Sequence, residues 1–137
     1  MKTTLLASTH WLMEEDGDGR VVWLARQPAP FASIAELTSA NAAVLRLIAS
    51  RHRSAGIVVD MRQASARNDA AFEKAMHGMR AQVTSSFART AVLVGTQAGL
   101  LQVSRLTRQD GATSFATTSE AEALHFARGE WTEPSRG

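Results

Sequence analysis

Gly56-Ile57-Val58-Val59-Asp60-Met61-Arg62 is the stretch on which the fold turns. Its apolar residues run without alternation, whereas a strand with one wet face alternates apolar and polar side chains, so this strand is expected to be covered on both faces, as in a parallel sheet. A second run of the same kind, Ala91-Val92-Leu93-Val94, closes at Gly95. Parallel strands need a crossover of a dozen or more residues, commonly a helix. The intervening chain provides one: Asn68 or Asp69 can cap a helix reaching about Phe87, in which Phe72, Met76, Met79, Val83 and Phe87 recur at spacings of 4-3-4-4 on one narrow arc. Gly78 interrupts this helix at a cost of about 1 kcal/mol relative to Ala.

The chain on either side follows the same logic. Ser33-Ile34-Ala35-Glu36 has the spacing of a capping box and opens a helix whose core stripe is Ile34, Leu37, Val44, Leu45 and Ile48. Asn41 falls inside that stripe, where satisfaction by nearby backbone is the expectation. Arg51-His52-Arg53 suits the negative pole at the helix end, and Gly56 is expected to stop the helix. Before it, Thr3 to Met13 reads as one strand and Arg20 to Ala25 as another, joined through Asp16-Gly17-Asp18-Gly19 as a hairpin and ended by Pro28 and Pro30. After Gly95, Thr96 can cap a helix from Ala98 to about Gln109 with Leu100, Val103 and Leu106 inward and Gly111 as terminator. Ser114 to Thr117 is a short last strand, and Ser119-Glu120-Ala121-Glu122 opens a final helix ending near Arg128. The expected order is β-β-α-β-α-β-α-β-α, an α/β domain over residues 1–128 with helices on a largely parallel sheet after an N-terminal hairpin. Residues 129–137 are expected to be a mobile tail, with Trp131 available to dock.

The composition bounds the function. With 137 residues, 45% of them hydrophobic, the chain can bury a core without staples, and it has no Cys. That removes thiol catalysis and Cys-ligated metals and points to a reducing, cytoplasmic setting. The start does not read as a signal peptide, and no run approaches the length of a membrane span, so membrane insertion is not expected. A net charge of +2 lacks the dense basic face of a nucleic-acid binder.

Three stretches resemble the STAS-like domains of the anti-sigma-factor-antagonist type found in bacteria: Gly56 to Arg62, Ala66-Arg67-Asn68-Asp69-Ala70-Ala71-Phe72, and Arg89 to Gly95 with Gln102-Val103-Ser104-Arg105-Leu106. The likeness spans roughly residues 20 to 127. It implies a non-enzymatic module of bacterial signalling that works by contact with another protein. In that family a serine at the start of the helix after the strand ending at Asp60 is phosphorylated by a partner kinase. Here that helix start reads Arg67-Asn68-Asp69-Ala70-Ala71, without the acceptor; Ser65 lies just upstream. The resemblance therefore implies an interaction module whose phospho-switch is changed or lost.

The candidate site is the crevice at the carboxyl ends of the strands, which would gather Asp60, Arg62, Ser65, Arg67 and Asn68 with Thr96 beside Gly95, Gln97 and Gly99. Helix N-termini at Asn68 and Thr96, helped by the arginines, would suit an anion or a partner carboxylate. The bland alternative is that these residues cap helices and the arginines are merely solvated. Leu101 lies off the inward stripe beside Arg105 and Arg108, an apolar centre with a basic flank suited to protein recognition. Trp11 and Trp23 read as core or cross-strand packing; on an edge strand they would instead serve a homodimer.

Enzymatic signatures are missing. Gly95-Thr96-Gln97-Ala98-Gly99 lacks the Gly-Lys-Ser/Thr ending of a phosphate loop, the Asp-Gly pairs lack the further ligands of an EF-hand, and His10, His52, His77 and His125 stand on four different elements. No cofactor or metal is expected. The alternative class is a small-molecule or lipid carrier using the strand-end crevice or an apolar cavity, as lipid carriers of the CRAL/TRIO kind would suggest.

Overall fold

A computed structural model describes residues 2–49, 54–64, 70–110 and 114–130, the side chains of 106–110 excepted. The elements are β1 (Lys2–Ala7), β2 (Trp11–Asp16), β3 (Val21–Arg26), α1 (Ile34–Ile48), β4 (Gly56–Asp60), α2 (Ala70–Ser86), β5 (Arg89–Leu93), α3 (Gln97–Asp110), β6 (Phe115–Thr117) and α4 (Glu120–Ala127). They build one six-stranded mixed sheet in the order β1-β2-β3-β4-β5-β6. β1, β2 and β3 form an antiparallel meander, and β3 through β6 run parallel.

The expected single first strand is two. The chain reverses at Ser8-Thr9-His10, without the Gly, Asn or Asp signal that marks a tight turn. Ser8 closes the reversal with its own atoms: its amide donates to the Trp11 carbonyl (2.9 Å) and its hydroxyl accepts from the Trp11 amide (3.1 Å). The next turn is as expected, with Gly19 at φ 69° and its amide donating to the Asp16 carbonyl at 2.9 Å. A side chain is strained at that φ, which is why glycine stands there.

The two apolar runs lie side by side, Ile57 opposite Thr90 and Val58 opposite Ala91. Alternate residues feed two cores. On one face Trp11, Met13, Val22, Leu24 and Ile57 pack with Val44 and Ile48 of α1 and with Met79, Val83 and Phe87 in and just after α2. On the other, Val21, Trp23, Val58, Ala91 and Leu93 pack with Ala123 and Ala127 of α4. Coverage of β4 on both faces explains why its sequence does not alternate.

Gly56 does not stop α1, which ends at Ile48 with Ala49 as its C-cap; it is the first, fully enclosed residue of β4. A Cβ there would overlap the Ala127 carbonyl. The glycine, with Ala123 and Ala127 opposite, lets α4 lie close on the sheet. Arginines secure the end of that helix: Arg89 Nε donates to the Ala127 carbonyl (3.1 Å), Arg20 Nη2 to the Arg128 carbonyl (3.0 Å), and Arg128 Nη2 to Asp16 Oδ2 (2.8 Å). Asp16 holds the Arg128 guanidinium above its usual pKa against some desolvation.

The serine half of each capping box forms: Ser33 Oγ accepts from the Glu36 amide (3.1 Å) and Ser119 Oγ from the Glu122 amide (3.2 Å), while the Ser119 amide donates to Thr117 Oγ1 instead of to Glu122. The Glu36 carboxylate does not return to Ser33. It accepts from the Ala32 amide (3.2 Å) and meets His10 Nε2 at 2.9 Å. Ser65, Arg67, Asn68, Gly111 and the tail residues 131–137 lie outside the described residues.

Candidate functional site

Among the described residues, the carboxyl ends of the parallel strands carry Asp60, Arg62 and Thr96. β4 ends at Asp60, and the Met61 amide donates to the Leu93 carbonyl (2.8 Å), so pairing with β5 runs one residue beyond the strand and fixes where Arg62 emerges. Arg62 folds back on Asp60 in a two-pronged bond, Nε to Oδ1 at 3.0 Å and Nη2 to Oδ2 at 2.8 Å, while its amide donates to Oδ1 at 3.1 Å. Nη2 also reaches Glu120 Oε1 in the first turn of α4 (3.1 Å). Arg62 thus bridges the loop after β4 to α4, and planar, forked geometry favours that double engagement.

The electrostatics follow from the pairing. Burial pushes the Asp60 carboxyl up, but the Arg62 hydrogen bonds and charge, with Lys2 adding to them, outweigh it and hold the carboxyl below the usual carboxylate range. Asp60 raises the Arg62 guanidinium above its ordinary value, against partial desolvation and with help from Glu120. An arginine already shared by two carboxylates offers little unspent charge to a simple anion.

The neighbouring loop contributes Gly95 and Thr96. Thr96 Oγ1 accepts from the Gly99 amide (3.0 Å), so the threonine caps α3 as its position suggests. One turn along α3, Leu101 is 67% exposed, and Arg105 beside it is also exposed. The crevice thus brings together Asp60, Arg62 and Glu120, with Thr96, Leu101 and Arg105 continuing onto α3. Ser65, Arg67 and Asn68 lie outside the described residues, as does the Arg108 side chain. Among the described residues no group of three His, Cys, Asp or Glu side chains could hold a metal ion, and no helix is long and apolar enough to cross a membrane.

A second polar centre, at the end of β3, is absent from the sequence-derived candidates. Arg26 is buried, and its guanidinium donates to three carbonyls: His10 (2.9 Å) and Gln27 (2.7 Å) through Nη1, and Ala29 (2.9 Å) through Nη2. Its Cζ sits 4.1 Å above the Phe31 ring and 5.6 Å from that of Trp11, and His10 stacks on Phe31 with centroids 4.3 Å apart. Among the described residues no carboxylate pairs with Arg26, and burial lowers its pKa. The available signal was periodicity: Arg26 follows Val22 and Leu24 at steps of two, on the face that meets α1.

Asn41 is buried, and its partner is a side chain instead of the expected backbone: the Trp11 indole Nε1 donates to Asn41 Oδ1 at 3.0 Å. Among the described residues the Asn41 amide nitrogen meets only the Met76 thioether, at 3.7 Å.

No protein-family model matches the chain, nor does any curated protein or solved structure. The geometry defines an α/β domain built on a six-stranded mixed sheet.

Proposed function

We propose that this chain is a STAS-like, non-enzymatic interaction module of the anti-sigma-factor-antagonist type, acting in bacterial signalling through the carboxyl-end edge of its sheet and the adjoining face of α3. The observation that carries the reading is the exposed Leu101 beside Arg105 on the helix that leaves the crevice. An apolar side chain with a basic neighbour is the composition of an interface centre and its rim. The Asp60–Arg62–Glu120 bridge supports it, because it holds the loop after β4 against α4 and gives a partner a shaped edge to meet. The missing acceptor serine in Arg67-Asn68-Asp69-Ala70-Ala71 makes contact independent of phosphorylation at that position part of the proposal.

The test is capture of a protein partner by the chain and by Leu101→Asp/Arg105→Glu, followed by titration of the partner identified. The expected result is at least tenfold weaker binding by the variant with an unchanged thermal melt. Equal binding by the two chains, or defined turnover of a substrate by the purified protein, overturns the proposal.

A further inference from the structure

A hollow lies apart from the crevice. Residues of α1 and α2 line an open groove of about 560 Å³, walled by Ile34, Ala42, Leu45, Ala75, Gly78 and Met79. That volume falls within the roughly 300–1,000 Å³ typical of small-molecule sites.

Two features of the groove are costs to the folded chain that packing does not explain, and a third sets its charge. Gly78 stands inside α2, where glycine weakens a helix relative to alanine, yet a Cβ on it would meet nothing within 4 Å. Packing therefore does not require the glycine, which lies on the groove's lining. Asn41, 5% exposed, also lines the groove, and among the described residues its amide nitrogen has only a thioether for a partner. An amide so poorly satisfied in a buried position is unfavourable. Lys74, on the lining, is exposed and has no ion-pair partner among the described residues; it is the one charged side chain there.

We infer that the groove is a binding site for a single-chain carboxylate amphiphile of the fatty-acid class. The methylene chain lies along Ala42, Leu45, Ala75, Gly78 and Met79, and the carboxylate meets the Lys74 ammonium. The groove's apolar wall accounts for the chain and its lone cation for the sign of the headgroup. The site is separate from the edge proposed for partner binding, and neither depends on the other.

The test titrates the full-length protein with octanoate, decanoate and dodecanoate below their micellar concentrations, with dodecyltrimethylammonium as the cationic control. The expected result is saturable one-to-one binding that tightens about three- to fourfold per added methylene and favours the carboxylate over the ammonium. Gly78→Leu fills the groove at a position open enough to take it; it is expected to abolish binding with a melting temperature equal to or above that of the parent. Lys74→Glu is expected to reverse the headgroup preference. No saturable binding by the parent, undiminished binding by Gly78→Leu, or an unchanged preference in Lys74→Glu each overturns the inference. So does a concentration-dependent dimer that Gly78→Leu dissociates, which would assign the groove to a second copy of the chain.

Discussion

Two arginines stand at the carboxyl ends of adjacent strands and are held in opposite ways. Arg26, at the end of β3, is buried between aromatic rings and bonded to neutral carbonyls alone, and burial lowers its pKa. Arg62, just past the end of β4, is exposed, lies between two carboxylates, and has its pKa raised. The difference lies in what each holds together. The carbonyls of His10, Gln27 and Ala29 belong to the turn before β2 and the segment after β3, where the Gln27 amide donates to the His10 carbonyl (2.9 Å), so Arg26 adds donors to backbone that the sheet ladder barely reaches. Buried carbonyls must find donors, and one forked cation supplies several. Arg62 joins two elements already placed by the sheet, in water, where an ion pair contributes little.

The largest effect that would break this contrast is expected at Arg26. Arg26→Met fills much of the volume but strands the Gln27 and Ala29 carbonyls, the His10 carbonyl keeping the Gln27 amide, and should lower unfolding free energy by about 3 kcal/mol in denaturant titration. Arg26→Lys, which keeps the charge but loses the fork and the ring stacking, should recover only about half of that. A loss below about 1 kcal/mol for Arg26→Met would show that water can replace the guanidinium.

Trp11→Phe is expected to fall in the middle. It keeps the aromatic surface near Arg26 but leaves Asn41 Oδ1 without its donor, for a loss of about 2 kcal/mol. In a double-mutant cycle with Asn41→Ala, the two losses should be less than additive, because the second change removes the group that the first leaves unsatisfied.

The smallest effect belongs to the bridge. Arg62→Gln should cost under about 1 kcal/mol at neutral pH. The Asp60 carboxyl has its pKa depressed in the folded state, so its contribution is present above the ordinary carboxyl value of 3.8 and is lost as pH falls through the folded value. Arg62 stays charged throughout the acid range, but the same carboxylates raise its pKa, so the pairing is lost when they protonate. The stability gap between the parent and Asp60→Asn should therefore be full at neutral pH and close once the solution is acidified past the carboxyl range. A gap that instead widens on acidification would show that the pairing is not what depresses Asp60.

The same contrast explains what could be read in advance. Helix starts at Ser33 and Ser119 and the cap at Thr96 depend on atoms within a few residues, and local spacing carries that information. So do the parallel runs 57–59 and 91–94, because burial on both faces erases alternation wherever it occurs. The turn at Ser8 was missed since it is closed by a hydroxyl instead of by a residue that tolerates positive φ. Gly56 was misread because a glycine after a helix and a glycine under a packed helix look alike until α4 arrives. The places of Asp60, Arg62 and Thr96 were legible, because each lies at or within three residues of the end of its strand. Glu120, 58 residues beyond Arg62, was not.

The sequence by itself determined the kinds of element, the caps of three helices and the parallel core of the sheet, since these rest on periodicity and on contacts within one turn of helix or strand. Tertiary structure alone decided the partners of isolated polar groups: Trp11 for Asn41, three carbonyls for Arg26, Glu120 for Arg62, and the Ala127 carbonyl against Gly56. Those pairings join residues from 16 to more than 50 positions apart or gather acceptors from separate turns. No local pattern encodes such a meeting, because the free energy that selects it appears only when the sheet has brought the two segments together.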